Sequence, residues 1–197
     1  MSNAPLTKET PISNSPATKG AQKSNPPLPA ETRIGHIHLR VANIDRAVHF
    51  YRDLMGFDLL MNMGSAAFLS AGGYHHHIGL NTWESKDGHP PAPGTTGLYH
   101  FAINYPKRKD LATALARLLD NGWGIDGASD HGTHEAIYLH DPDFNGLELA
   151  WDRAQSEWPK AGEMLSFSRK SLDFKSLLAE LGGPERTAQL ASLAPYT

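Results

Sequence analysis

The sequence predicts an α+β fold built from two copies of one structural unit. In each copy a short alternating strand leads into a helical pattern, and further strand-like segments follow. The helical patterns cover residues 44–55 and 110–120, and each closes at a glycine. His36 and His100 hold the same place in the two opening strands, 64 residues apart (100 − 36 = 64). The repeated order of elements and the shared histidine therefore indicate a duplicated unit.

The last strands of the two copies also match. Ile78-Gly79-Leu80 can be laid on Leu147-Glu148-Leu149, which places Gly79 opposite Glu148. The repeat therefore has four equivalent positions, and they are occupied by His36, Gly79, His100 and Glu148. Glycine has no side chain to bind a metal, so three of the four positions are candidate ligands.

Strand parity supports the same three residues, because successive side chains point to opposite faces of a sheet. In the first strand Ile37 and Leu39 share one face, and His36 shares the other with His38. The same alternation places His100 and Glu148 on polar faces. A sheet of this pattern packs one face on helices and lines a polar concavity with the other.

Composition is typical of one soluble domain with tails. The chain has 197 residues, is 40% hydrophobic and carries a net charge of −3, so it can bury one core and has no basic field for nucleic acid. No apolar run reaches membrane length, and no signal peptide is visible. The absence of cysteine excludes disulfides, thiolate ligands and a Cys nucleophile. We therefore expect a cytoplasmic protein without a membrane or nucleic-acid partner.

Three regions are expected along the chain. The first is rich in Pro, Ser, Thr, Asn and Lys and predicts a disordered leader. The last contains apolar residues at helical spacing and predicts a short helix that docks on the domain or on a second subunit. The boundaries are 1–32 for the leader, 33–153 for the folded domain (module one 33–84, linker 85–96, module two 97–153) and 154–197 for the C-terminal extension.

A metal site is the hypothesis that explains the three polar positions together. A single strand histidine is more often a hydrogen-bonded core residue than a ligand, but two histidines and a glutamate at equivalent positions favour a ligand set. Imidazole and carboxylate without thiolate suit Fe, Mn, Ni or Zn. Three protein ligands with open positions form the facial triad of non-haem Fe(II) oxygenases. Such a site keeps a residual positive charge, which suits a catecholate. Its open coordination positions also leave a place for O2.

Four segments resemble the vicinal oxygen chelate superfamily, which includes glyoxalase I, bleomycin-resistance proteins, fosfomycin-resistance enzymes and type I extradiol dioxygenases. The resemblance implies two paired βαβββ modules that form an open eight-stranded barrel-like cup with helices outside. It also implies metal ligands at His36, His100 and Glu148. The segments are residues 35–41, 47–57, 98–103 and 141–148.

Gly79 indicates which members of this superfamily the chain resembles most. Glyoxalase I carries a fourth ligand, a carboxylate, at this place, so a glycine favours an open coordination sphere. The segment 70–83 resembles single-chain catechol 2,3-dioxygenases, in which a histidine on this strand is the acid/base. Parity favours His77 for that role, with His75 as the second choice. The alternative for the histidine triplet is a tag or a surface cluster.

Two further side chains are implied by the resemblance. Tyr138 lies ten residues before Glu148, the place of a tyrosine that hydrogen-bonds a substrate oxygen in extradiol enzymes. His131 lies in a loop that would approach the same mouth and bond the substrate hydroxyl, with His134 as a competitor. The ordinary alternatives are a core tyrosine and a solvated loop histidine.

The function implied is that of an Fe(II)-dependent catechol 2,3-dioxygenase-like enzyme of aromatic catabolism. It would cleave a catechol-type 1,2-dihydroxybenzene next to the diol with O2, and Mn(II) is a second option for the metal. Many extradiol dioxygenases resemble a doubled version with four modules. Either a homodimer partner or the C-terminal helix would replace the missing half, or the chain is a relative that has lost oxygenase activity. The alternatives are a metal-dependent transferase or isomerase of the fosfomycin-resistance or glyoxalase type, and a non-catalytic drug-binding resistance protein.

Overall fold

The computed structural model describes residues 26–182. Most of the predicted leader, residues 1–25, and the end of the C-terminal extension, residues 183–197, lie outside the described residues. The chain divides after Ile34 into two units. In the described part of the first unit, residues 26–34 contain no strand or helix, and the backbone N–H of Thr32 donates to the Pro29 carbonyl at 3.0 Å.

The second unit contains the two predicted modules, each with one helix and four strands. The first module consists of β1 (Ile37–Arg40), α1 (Ile44–Val48) with a π-helical continuation (His49–Leu54), β2 (Asp58–Asn62), β3 (Ala66–Ser70) and β4 (Ile78–Asn81). The second consists of β5 (Phe101–Asn104), α2 (Arg108–Asp120), β6 (Gly127–Asp130), β7 (His134–His140) and β8 (Gly146–Asp152).

The two modules have the same topology. The eight strands form two open four-stranded sheets, ordered β1-β4-β3-β2 and β5-β8-β7-β6. Strands β1 and β4 pair in parallel with His38 beside Gly79, and β5 and β8 pair in parallel with Ala102 beside Glu148. Gly79 and Glu148 therefore occupy the same position in the two sheets. The duplicated α+β fold predicted from the sequence is confirmed.

Helix boundaries differ from the prediction at both helices. The first helix changes to π-helical geometry at His49, and the backbone N–H of Met55 donates to Phe50, five residues back. At the start of α1, the Asn43 side chain accepts from the N–H of Arg46 and caps the helix. Helix α2 starts two residues earlier than predicted, at Arg108. Asp110 therefore lies in its first turn, where a negative charge is favourable.

A single apolar core joins the two modules. Phe50 and Leu54 of the first helix are buried with Leu111, Leu115 and other α2 residues. The rings of Phe50 and Trp123 lie 4.8 Å apart between centroids. The apolar faces of the sheets complete this core, as strand parity predicted.

The buried carboxylate of Asp141 connects the two modules by hydrogen bonds. Its Oδ2 accepts from the Tyr51 hydroxyl at 2.9 Å and from the Asn145 side chain at 2.9 Å. Its Oδ1 accepts from the backbone N–H groups of Asp143 (2.8 Å) and Asn145 (2.9 Å). Asp143 in turn accepts from the N–H of Ala42 at 3.0 Å. The loop that leads into β8 is therefore fixed to the first module.

The C-terminal extension adds a small hairpin and a third helix. The hairpin pairs β9 (Lys160–Ala161) with β10 (Met164–Leu165), and α3 spans Phe174–Ala179. Helix α3 contacts α2, and its Leu177 and Leu178 are buried. Within residues 26–182 no helix combines the length and apolar character needed to cross a membrane.

We predict that Tyr51→Phe lowers the free energy of unfolding by about 1–3 kcal/mol, because it removes a buried hydrogen bond to a carboxylate. Tyr99→Phe is the matched control, since Tyr99 is 89% exposed, and we expect it to change stability by less than about 0.5 kcal/mol. Urea unfolding monitored by circular dichroism measures both. Equal stabilities of the two variants would contradict the role of Asp141 as the junction.

Candidate functional site

The second module brings two of the predicted histidines together around one carboxylate. His100 directly precedes β5, and its Nε2 lies 2.9 Å from Oε2 of Glu148 on β8. His134, at the start of β7, places its Nε2 3.0 Å from Oε1 of the same carboxylate. Glu148 is only 8% exposed, so its charge is largely removed from water. The two imidazoles therefore take the place of solvent around a buried carboxylate.

Tyr138 and His131 extend this group. Tyr138 pairs directly with Glu148 across β7 and β8, and its ring centroid lies 5.6 Å from that of His100. Nε2 of His131 lies 2.8 Å from the Tyr138 hydroxyl. Burial raises the pKa of Tyr138, and the negative charge of Glu148 raises it further. We call these five residues, His100, His131, His134, Tyr138 and Glu148, the second-module cluster.

The first module gathers histidines of its own. The ring of His36 lies 4.3 Å from that of His76 and 6.2 Å from that of His75. The Nδ1 atoms of His75 and His76 are 2.8 Å apart, so one donates a proton to the other. Burial lowers the pKa of His76, and the positive charges that His36, His75 and His38 would carry lower it further. We call His36, His75 and His76 the first-module cluster.

The predicted ligand trio is brought together only in part. His100 and Glu148 are in contact, but among residues 26–182 His36 makes no ring contact or hydrogen bond with either of them. In the same range no three His, Asp or Glu side chains are arranged to hold a metal ion. In this structure His36 therefore belongs to the first-module cluster, and His100 and Glu148 belong to the second-module cluster.

The side chain of His77 contacts the turn that precedes β4, and its backbone carbonyl accepts from the N–H of Ile37 at 3.0 Å. Its Nδ1 accepts from the backbone N–H of Ala71 at 3.2 Å, and its ring centroid lies 4.9 Å from that of Tyr74. Strand β4 starts at Ile78, so the alternation used to select His77 does not extend to that residue. Parity passed over His76, which lies beside His36. The sequence feature that could have indicated this is Gly72-Gly73, a pair of glycines typical of a turn. Both have positive φ and lie in the turn between β3 and β4.

The space beside Gly79 is filled by a neighbouring side chain. A Cβ added to Gly79 would lie 3.0 Å from Cγ of His38, which faces Gly79 across β1 and β4. The His38 ring lies 5.7 Å from the Trp83 ring and 6.0 Å from the Phe68 ring. The glycine therefore makes room for an imidazole at the place where Glu148 lies in the second module.

Comparison with known proteins identifies the class of this chain. The model of the glyoxalase/bleomycin resistance protein/dioxygenase superfamily matches residues 33–149, and the chain belongs to that superfamily. The resemblance inferred from the sequence is thereby confirmed. A crystal structure of a glyoxalase/dioxygenase from Nostoc punctiforme has the same fold, with a TM-score of 0.53, 20% identity and coverage of 66% of this chain and 99% of that one.

Two curated relatives carry more specific names. The catechol-2,3-dioxygenase of Bacillus subtilis is 38% identical over 159 residues, which cover 80% of this chain and 55% of that protein. The biphenyl-2,3-diol 1,2-dioxygenase 3 of Rhodococcus globerulus is 29% identical over 122 residues, covering 61% of this chain and 63% of that protein. The chain thus matches less than two thirds of the length of each of these relatives.

We predict that Gly79→Ala destabilises the protein by about 1–3 kcal/mol, because the new methyl group would press on the His38 ring. In the His38→Ala background the same change should cost less than about 0.5 kcal/mol, a coupling that a double-mutant cycle measures by chemical unfolding. Gly127→Ala is the control, since a Cβ at that strand position would meet nothing within 4 Å. An undiminished cost in the His38→Ala background would contradict the contact.

Proposed function

We propose that this protein is an extradiol ring-cleaving dioxygenase that acts on a catechol-type 1,2-dihydroxybenzene with O2 in the cytoplasm, as part of aromatic catabolism. The observation that carries the proposal is the carboxylate of Glu148 held 2.9 Å from the His100 imidazole, with Tyr138 directly beside it. The names of two relatives, both dioxygenases of aromatic diols, support the same substrate class.

The donor atoms of the second-module cluster fit a divalent metal. Nε2 of His100 and Oε2 of Glu148 lie 2.9 Å apart, and nitrogen and oxygen donors without sulfur suit Fe(II), with Mn(II) as the second option. We propose His100, Glu148 and His36 as the three ligands. When bound, the metal would supply positive charge that binds the two diol oxygens and brings O2 next to them.

The remaining predicted residues hold and move protons around that substrate. Burial and the charge of Glu148 raise the pKa of Tyr138, so its phenol stays protonated at neutral pH and its oxygen can accept a hydrogen bond from a diol hydroxyl. His131 orients that hydroxyl from its other side. We retain His77, with His75 second, as the proposed acid/base that accepts and returns the diol proton. The position of His76 beside His36 adds it as a third candidate.

We propose a homodimer as the source of the third ligand. The alternative, completion by the C-terminal helix, is less suitable because α3 packs on α2 through Leu177 and Leu178 and brings no metal ligand. In a twofold dimer, His36 of each copy would meet His100 and Glu148 of the other. Two equivalent sites would then form, because a twofold interface repeats each contact.

We predict that the full chain loaded anaerobically with Fe(II) consumes O2 and forms a yellow ring-opened product with at least one member of a catechol panel. Glu148→Gln and His100→Ala should each lower iron binding more than tenfold, because each removes a ligand. His49→Ala, an exposed histidine on the first helix, is the matched control and should bind iron normally.

Two results would contradict this function. One is iron-loaded protein that consumes no O2 with any catechol. The other is addition of a thiol to an epoxide with Mn(II) in the absence of O2, which would indicate a transferase of the same fold.

We predict that an equal mixture of the inactive variants His36→Ala and Glu148→Ala regains about a quarter of wild-type activity after subunit exchange. Half of the dimers would be mixed, and one of the two sites in each would have all three ligands. Sedimentation analysis checks that the protein is dimeric. A dimer that exchanges subunits but regains no activity would place all three ligands within one chain.

A further inference from the structure

The segment between Trp158 and Leu172 crosses the second module as a strap. It is fixed at both ends. The Trp158 indole N–H donates to the Arg153 carbonyl at 2.9 Å, and α3 follows the strap with Leu177 and Leu178 in the core. The strap is therefore held across the second module by contacts on either side.

The middle of the strap pairs with the edge of the second sheet. Lys170 and Asp130 exchange backbone hydrogen bonds of 2.8 and 3.1 Å, and the N–H of Ser168 donates to the His131 carbonyl at 3.0 Å. Gly132 has a φ of +80°, and a Cβ there would lie 2.9 Å from Cγ of Pro159. The corresponding edge of the first sheet, β2, has exposed residues and no such covering among residues 26–182.

The strap also contacts the side chain of His131. The Ser168 carbonyl lies 3.0 Å from Nδ1 of His131. A carbonyl oxygen can only accept, so Nδ1 must carry the proton. In the neutral imidazole Nε2 then has a lone pair, and the Tyr138 hydroxyl, 2.8 Å away, must be the donor to it.

Tyr138 has one hydroxyl proton and two neighbouring acceptors. One is Nε2 of His131, and the other is the Glu148 carboxylate, which faces Tyr138 across the sheet. With His131 protonated at Nδ1, the phenol proton is directed to His131, although the Glu148 carboxylate lies close enough to accept from the same hydroxyl. With the other tautomer, His131 would donate to Tyr138, and the phenol proton would turn toward Glu148.

We propose that Ser168 is a positioning residue of the site. Its backbone carbonyl holds His131 in the Nδ1–H tautomer, which directs the Tyr138 proton away from Glu148 and keeps that carboxylate available to a cation. The effect on the cation rests on the proposed function. The effect on the tautomer does not.

The tautomer can be measured directly in the metal-free full chain labelled with 15N-histidine. Long-range 1H–15N correlation spectra distinguish a proton on Nδ1 from one on Nε2, and the signal lost in His131→Asn identifies His131. We expect the wild type to be Nδ1–H. Ser168→Pro removes the N–H that pairs with the His131 carbonyl, so it should loosen the strap and shift His131 toward Nε2–H.

Ser168→Ala is the matched control, because it keeps both backbone groups and loses only the hydroxyl contact with the Asp130 carbonyl. It should keep the wild-type tautomer. Mn(II) affinity should fall about tenfold in Ser168→Pro and change less than about twofold in Ser168→Ala. If Ser168→Pro does not fold, a glycine inserted before Ser168 moves the carbonyl out of register and should give the same shift.

Three results would overturn the proposal. The first is a wild-type His131 protonated at Nε2. The second is an unchanged His131 tautomer in folded Ser168→Pro protein whose Lys170 amide exchanges faster than in the wild type. The third is a tautomer shift in Ser168→Ala equal to that in Ser168→Pro. The proposed function is tested separately. If Ser168→Pro shows the expected tautomer shift but the wild type has no dioxygenase activity, this proposal stands and only the proposed function is refuted.

Discussion

The buried carboxylate of Asp141 is the interaction on which the arrangement of the site depends. A charge removed from water is tolerated only when hydrogen bonds replace its solvation, and four donors do so here. One of them, Tyr51, comes from the first module, so the junction of the modules and the loop before β8 are fixed by the same group. The position of Glu148, seven residues further along, follows from this anchor.

Much of the fold was predictable because it rests on local periodicity. Alternation identified the apolar and polar faces, and the repeat identified Gly79 and Glu148 as equivalent positions, which the strand registers confirm. Alternation does not extend to His77, because β4 begins at Ile78 and a strand pattern cannot show where regular backbone begins, so the role of His77 stays a prediction. The repeat could not show that His36 would contact His75 and His76 while His100 contacts Glu148, since equivalence within two copies does not specify which faces meet.

The second-module cluster places imidazole groups around a nearly buried carboxylate. The Glu148 carboxylate has an imidazole at each oxygen, with His134 3.0 Å from Oε1 and His100 2.9 Å from Oε2. The sequence indicated His134 only as a competitor of His131. Its contact with Glu148 arises from the pairing of β7 with β8, a long-range relation that spacing along the chain does not reveal.

The π-helical stretch at residues 49–54 has a consequence for how this protein tolerates change. Phe50 packs against Trp123 while the adjacent Tyr51 reaches Asp141, so two consecutive residues both point into the interior. A π-helical turn accommodates one residue more than a regular turn. Deleting that residue would restore ordinary helical geometry but rotate the following side chains by about 100°. The helix is thus sensitive to length as well as to composition, and a deletion here would be more damaging than most substitutions.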